Sequence, residues 1–122
     1  MADDRIALGS FGEEVAARFL AGKGWRVLDR NWRCPRGELD LVARAPGGEL
    51  VIVEVKARRT LLAGAPIEAV TPRKLGRLRS LAAQWLADHP EHGSAVVRFD
   101  VVGVLVGGAE PSQVRHVAGV AP

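Results

Sequence analysis

Two short apolar segments of the chain each contain a pair of charged residues two positions apart. Residues 38–43 contain Glu38 and Asp40, and residues 50–56 contain Glu54 and Lys56. Because a β-strand alternates its faces, the members of each pair share one face of their strand. Burying carboxylates and an ammonium among valines is unfavourable unless these groups meet partners or a metal ion. The pattern is typical of metal-assisted cleavage of a phosphodiester bond.

That chemistry suggests a role for each group. Hydrolysis needs a nucleophile near neutral pH and neutralisation of the charge on phosphorus, and Mg²⁺ or Mn²⁺ held by one or two carboxylates supplies much of both. Asp40 and Glu54 are the expected metal ligands, with the backbone carbonyl of Val55 as a third. Lys56 could orient the attacking water or stabilise developing charge. The competing interpretation is a surface ion pair between Glu54 and Lys56.

The two segments must also meet in space for this site to form. Pro46-Gly47-Gly48 between them is a strong turn signal and predicts a hairpin. Directly opposed residues of an antiparallel pair have numbers of constant sum, and Asp40 and Glu54 share a face only if that sum is even. A two-residue turn at Gly47-Gly48 makes the sum odd. We therefore predict an odd-length loop, or a bulge in one strand.

The remaining pattern predicts an α/β fold in the order α-β-β-β-α-β-β. Ser10 and Glu13 fit a capping box at the start of the first helix, and residues 31–37 read as a basic loop after a short strand at 25–28. Thr71 and Pro72 predict the start of the second helix. Strands are expected at 96–106 and 114–117. The simplest architecture is a single mixed β-sheet flanked by helices, with residues 1–122 forming one domain.

The charge distribution suggests a polyanionic partner. The net charge is only +3, but arginine supplies 14 of the 17 cations, and its planar fork suits phosphate. Basic residues concentrate at 18–36 and 56–79, on both sides of the acidic centre. An ordinary solvated surface is the alternative. The candidate nucleic-acid contacts are Arg33, Arg36, Arg58, Arg59, Arg73, Lys74 and Arg77.

Other features restrict the class of protein. No apolar run approaches the roughly 20 residues of a membrane helix, and the N-terminus lacks the pattern of a signal peptide. The single cysteine, Cys34, excludes an internal disulfide and a cysteine-based zinc site. A cytoplasmic protein without a membrane partner is expected.

Several motifs resemble the bacterial UPF0102 (YraN-like) family, and the likeness extends from about Leu8 to Val104. They are Gly9-Ser10-Phe11-Gly12-Glu13, Asn31-Trp32-Arg33, Gly37-Glu38-Leu39-Asp40-Leu41-Val42, Val53-Glu54-Val55-Lys56-Ala57-Arg58 and Arg98-Phe99-Asp100-Val101. The family looks like a branch of the restriction-endonuclease-like superfamily, similar to archaeal Holliday-junction resolvases. The resemblance implies Asp40, Glu54 and Lys56 as the nuclease core, and Glu13 as a further catalytic carboxylate.

Three acidic residues have more than one interpretation. Glu13 either completes the capping box or faces the site, and the resemblance favours the site. Glu38 is a secondary candidate that could assist the metal or bind an arginine from residues 31–37. For Asp100, a salt bridge to a neighbouring arginine is favoured over a metal role.

The function that these patterns indicate is a metal-dependent endonuclease acting on DNA, and the resemblance implies branched or otherwise structured DNA. One alternative is a nucleic-acid-binding module with little or no turnover. Another is an adaptor protein whose charges form surface pairs. RNA stays open as a substrate. Symmetric cutting of two strands would require a homodimer, because a chain of this size presents one site.

Overall fold

A mixed five-stranded sheet lies between two helices in the computed structural model, which describes residues 4–59, 70–93, 96–107 and 113–120. The elements are α1 (Asp4–Gly22), β1 (Arg26–Cys34), β2 (Gly37–Arg44), β3 (Leu50–Arg58), α2 (Pro72–Asp88), a 3₁₀ turn (Pro90–His92), β4 (Val97–Leu105) and β5 (Gln113–Val117). The strand order is β1-β2-β3-β4-β5, with β3 and β4 parallel and all other neighbours antiparallel. This confirms the α/β class and is consistent with a restriction-endonuclease-like core.

The start of the first helix differs from the sequence-based expectation. Helix α1 begins at Asp4, so Ser10 lies in its interior and the predicted capping box with Glu13 is wrong. The residues from Arg5 to Leu8 include no proline or glycine, and they continue the helix towards the N-terminus.

The predicted basic loop at residues 31–37 is also wrong. Its first part continues β1, and only Pro35 and Arg36 form the turn into β2. Pairing with β2 provides the reason, because Trp32 lies opposite Leu39 and packs against the α2 side of the core. Tertiary pairing here overrides a local composition that resembles a loop.

Strand β3 is the centre of the molecule and has one helix on each face. Val51, Val53 and Val55 pack with Leu20 of α1, whereas Ile52 packs with Trp85 of α2 and its neighbours. Strand alternation therefore directs the side chains of residues 54 and 56 towards α2.

Helix α1 approaches the same strand closely. A Cβ atom at Gly12 would lie 2.6 Å from the Cβ of Ala57, so the helix can lie against β3 only because residue 12 has no side chain.

Among the described helices, none is long and apolar enough to span a membrane.

Candidate active site

The hairpin between β2 and β3 has the register that a shared site requires. Leu41 pairs with Val53 and Ala43 with Val51, so the next position sets Asp40 opposite Glu54. The connection contains an odd number of residues, because Ala45 N–H donates to Glu49 C=O across a three-residue loop that ends at Gly48 with a φ of 97°. The predicted odd-length loop is confirmed.

Regular pairing of β2 with β3 ends at Leu41 and Val53, next to Asp40. The Val55 N–H donates to the carboxylate Oδ2 of Asp40 at 2.8 Å. Backbone N–H and C=O groups point to alternate sides along a strand, and those of the even-numbered Leu50 and Arg58 form hydrogen bonds on the β4 side. The backbone groups of the odd-numbered Val55 therefore point towards β2. The Val55 carbonyl therefore lies on the Asp40 side of β3, where it could serve as a metal ligand.

The neighbouring strand β1 is also irregular at this level. Asn31 lies opposite Asp40, between the Arg30–Leu41 and Trp32–Leu39 pairs. It adopts a left-handed φ of 52°, a conformation that asparagine tolerates better than most residues. Sequence reasoning did not assign Asn31 a role, although its side chain favours the ionised form of Glu13 and so acts to lower the pKa of that residue.

Among the described acidic residues on the α2 side of the sheet, Glu54 is the most buried, with 8% of its surface exposed. Its Oε1 atom lies 3.3 Å from Lys56 Nζ and 3.0 Å from Lys74 Nζ. The pair of Glu54 with Lys56 is therefore largely buried, unlike the surface pair that was the competing interpretation.

Helix α2 delivers the second lysine. The Thr71 hydroxyl accepts a hydrogen bond from the Lys74 N–H at 3.2 Å, and Pro72 occupies the first turn, which confirms the predicted helix start. Lys74 is one of the predicted phosphate contacts, and in the structure its ammonium pairs with Glu54. A usable signal was the spacing of Lys74, Leu78 and Leu81, which places all three on one helix face.

These groups surround a cavity of about 300 Å³ between the sheet and α2. Its lining is Glu38, Asp40, Glu54, Val55, Lys56, Lys74, Arg77, Leu78 and Leu81.

Two further acidic residues stand near this cavity. Glu13 of α1 is partly buried; burial and the charge of Glu38 raise its pKa, against the opposing hydrogen bond from Asn31. Glu38 is exposed and pairs with Arg33 at 3.1 Å, as one of its two interpretations predicted, and it also lines the cavity.

The carboxylates of the site lie close together and are partly shielded from water. Burial, followed by the charge of Glu54, raises the pKa of Asp40 to about 7, although the Val55 N–H favours the ionised form. Burial and the adjacent Lys74 lower the pKa of Lys56. Burial also disfavours the Lys74 ammonium, but contacts with Lys56 and Glu54 outweigh it and raise the pKa of Lys74.

The donor set fits a hard divalent cation. Within the described part of the chain, no three His, Cys, Asp or Glu side chains converge as a preformed metal cluster. Mg²⁺, however, commonly uses one or two carboxylates and retains several waters. Asp40, Glu54 and the Val55 carbonyl meet that requirement, and a cation would offset both the burial and the charge of Glu54 that raise the pKa of Asp40.

Comparison with known proteins agrees with the motifs around this site. The model of the uncharacterised protein family UPF0102 matches residues 12–104. The chain belongs to the UPF0102 family. A UPF0102 protein of Kineococcus radiotolerans is 55% identical over 114 residues, which cover 93% of each chain. One of Beutenbergia cavernae is 56% identical over 114 residues, covering 93% of this chain and 95% of its own.

The predicted nucleic-acid contacts of this UPF0102 chain fall mainly into two groups beside the cavity. Arg77 extends over the β1–β2 turn, where it donates to the Arg36 carbonyl at 3.3 Å. It lines both the central cavity and a second hollow of about 470 Å³ that also includes Arg33. Arg58 and Arg59 line a third hollow at the end of β3. Arg73 is exposed on the first turn of α2.

Asp100 belongs to a separate cluster. Its buried carboxylate accepts two bonds of 2.9 Å from Arg98, one of 2.7 Å with His116 and one of 2.9 Å from the Gly119 N–H. Burial raises the pKa of Asp100, but these partners, led by Arg98, lower it overall. The predicted salt bridge is confirmed, and its role is to hold β4, β5 and the following residues together.

Proposed function

We propose that this protein is a metal-dependent endonuclease that hydrolyses phosphodiester bonds in DNA. The observation that carries the proposal is the meeting of Asp40, Glu54 and Lys56 in one half-buried cavity. A surface or adaptor role does not account for a carboxylate that interrupts a strand pair and has a raised pKa. Such perturbed groups in a cleft are typical of functional sites.

Asp40, Glu54 and the Val55 carbonyl would hold Mg²⁺ or Mn²⁺. Once bound, the metal would lower the pKa of a coordinated water and neutralise phosphate charge. Lys56 stands beside Glu54, where its side chain can orient the attacking water or meet the charge that develops on phosphate. Glu13 would add negative charge at the edge of the same site.

The arginines support DNA as the substrate class. Arg33, Arg36 and Arg77 lie on one side of the cavity and Arg58 and Arg59 on another, with Arg73 nearby on α2. Contacts of this kind hold the phosphate backbone and carry little base-sequence information. Branched DNA is our preferred substrate, with RNA as the alternative. A homodimer would allow both strands to be cut, and the cytoplasm is the compartment we expect.

The test compares the unsubstituted protein with Asp40→Ala on branched, flapped, single-stranded and duplex DNA and on RNA of the same sequence. Each substrate is incubated with and without Mn²⁺. We expect metal-dependent cleavage of at least one substrate by the unsubstituted protein and loss of that cleavage in the variant. Equal behaviour of the two proteins on every substrate would defeat the proposal.

A second candidate function is a binding module with little turnover. The observation in its favour is that Lys56 and Lys74 already neutralise Glu54 without a metal. Such a module would bind DNA with the same affinity in EDTA and in Mn²⁺, and Asp40→Ala would leave that affinity unchanged.

A further inference from the structure

Of the cations on α2, Lys74 and Arg77 line the cavity, and Lys74 is the one that pairs with Glu54 there. Its ammonium lies 3.0 Å from Glu54 Oε1, and 32% of its side chain is exposed. Arg73 and Arg79 on the same helix are exposed. The Thr71 cap and the buried Leu75 fix the first turn of α2, so the direction of Lys74 is set by the fold.

Two ammonium groups share one oxygen of Glu54. Lys56, from the same strand, already provides a charge partner at 3.3 Å. A structural ion pair needs only one such partner, and the second brings two cations together in a confined space. The second positive charge is explained if one of the two lysines binds an anionic ligand that enters the cavity.

The position of Lys74 also conflicts with a metal ligand role for Glu54. A divalent cation bound by Asp40 and Glu54 would lie close to the Lys74 ammonium, and the two positive charges would repel each other. Lys74 is partly exposed and can turn about its own side chain into the cavity, whereas Glu54 is held in the central strand. The side chain that moves is therefore Lys74.

We infer that Lys74 exchanges the Glu54 carboxylate for a non-bridging phosphate oxygen of the substrate when a divalent metal occupies the site. The inference rests on the proposed nuclease function and adds a second phosphate-binding cation to it. Without metal, Lys74 neutralises Glu54; with metal and nucleic acid, it binds the phosphate that the metal also contacts.

The test uses Lys74→Met, which keeps most of the length of the side chain and removes its charge, and Lys74→Arg, which keeps the charge. Arg79→Met is the matched control, because it removes an exposed cation of α2 that does not line the cavity. Mn²⁺ binding is measured by calorimetry on the protein alone, cleavage kinetics are measured on the most reactive DNA, and thermal unfolding is followed for every variant.

Lys74→Met should bind Mn²⁺ roughly ten-fold more tightly than the unsubstituted protein, since a competing charge a few ångströms away is removed. The same variant should cleave DNA with a KM at least about ten-fold higher, because it has lost one charge-assisted contact with phosphate. Lys74→Arg should keep the Mn²⁺ affinity of the unsubstituted protein, and Arg79→Met should change neither quantity.

A merely structural Lys74 would give a different pattern. Equal or weaker Mn²⁺ binding by folded Lys74→Met, or an unchanged KM, would overturn the inference. If Lys74→Met does not fold, an unchanged KM in Lys74→Gln would do the same. Tighter Mn²⁺ binding by the variant, with no cleavage by any protein, would refute the nuclease proposal and the phosphate contact but leave the competition at Glu54 standing. Failure of all proteins to bind Mn²⁺ would refute both.

Discussion

Replacing Asp40 by asparagine should prevent the decrease in the free energy of unfolding that we expect as the pH rises. An aspartate in an unfolded chain ionises near pH 3.9, whereas the pKa of Asp40 in the folded protein is raised to about 7. Between these values the folded state holds a proton that the unfolded state has lost. The free energy of unfolding therefore decreases as the pH rises through this window, and the loss is complete above the folded pKa.

The size of this effect follows from the shift. Three pKa units correspond to at most about 4 kcal/mol, lost between pH 4 and pH 8. The asparagine of Asp40→Asn is neutral throughout and keeps an oxygen that can accept from the Val55 N–H. We expect the variant to match the unsubstituted protein near pH 4 and to exceed its free energy of unfolding by about 2–4 kcal/mol at pH 8.

The assay is urea unfolding in EDTA at pH 4, 5, 6, 7 and 8, followed by tryptophan fluorescence. Glu91→Gln, which removes an exposed carboxylate after the opposite end of α2, controls for the loss of one negative charge. Parallel stability profiles for the unsubstituted protein and Asp40→Asn, or a less stable variant at pH 8, would refute the electrostatic account of the site.

Three other outcomes are expected. Mn²⁺ affinity should rise by about ten-fold per pH unit below pH 7, because metal binding must expel the Asp40 proton; calorimetry showing no dependence on pH would contradict this. Gly12→Ala should lower the free energy of unfolding by about 1–3 kcal/mol through its clash with Ala57, and adding Ala57→Gly should restore part of the loss in urea titrations. Asp100→Ala should cost about 3 kcal/mol, because Arg98 and His116 lose a buried partner; a cost below 1 kcal/mol in the same assay would argue against that network.

Local patterns predicted the parts of the site that one hairpin contains. Asp40 and Glu54 sit on two strands joined by a short loop, so alternation and register alone determine that they share a face. The position of Lys74 was beyond such reasoning, because it depends on how α2 lies across the sheet. The leucines that follow it at helical spacing place Lys74 on the buried face of α2, but they do not show that this face brings it to Glu54.

The errors lie where longer-range contacts decide the local structure. Residues 31–34 contain loop-like asparagine and arginine, yet β2 pairs with them and makes them a strand. Helix α1 continues to Asp4, so Glu13 cannot cap it and is free to meet Asn31. The left-handed Asn31 opposite Asp40 could be identified only after both strands were placed.

The assignment of Asp40 to a catalytic metal site can be tested with a variant whose inactivity cannot be attributed to unfolding. Asp40→Asn, expected to be more stable than the unsubstituted protein at pH 8, is compared with it in single-turnover cleavage of a branched DNA with Mn²⁺ at that pH. We predict metal-dependent strand cleavage by the unsubstituted protein and a rate at least about 100-fold lower in the variant. Cleavage by folded Asp40→Asn at the unsubstituted rate would contradict the assignment of Asp40 to a catalytic metal site.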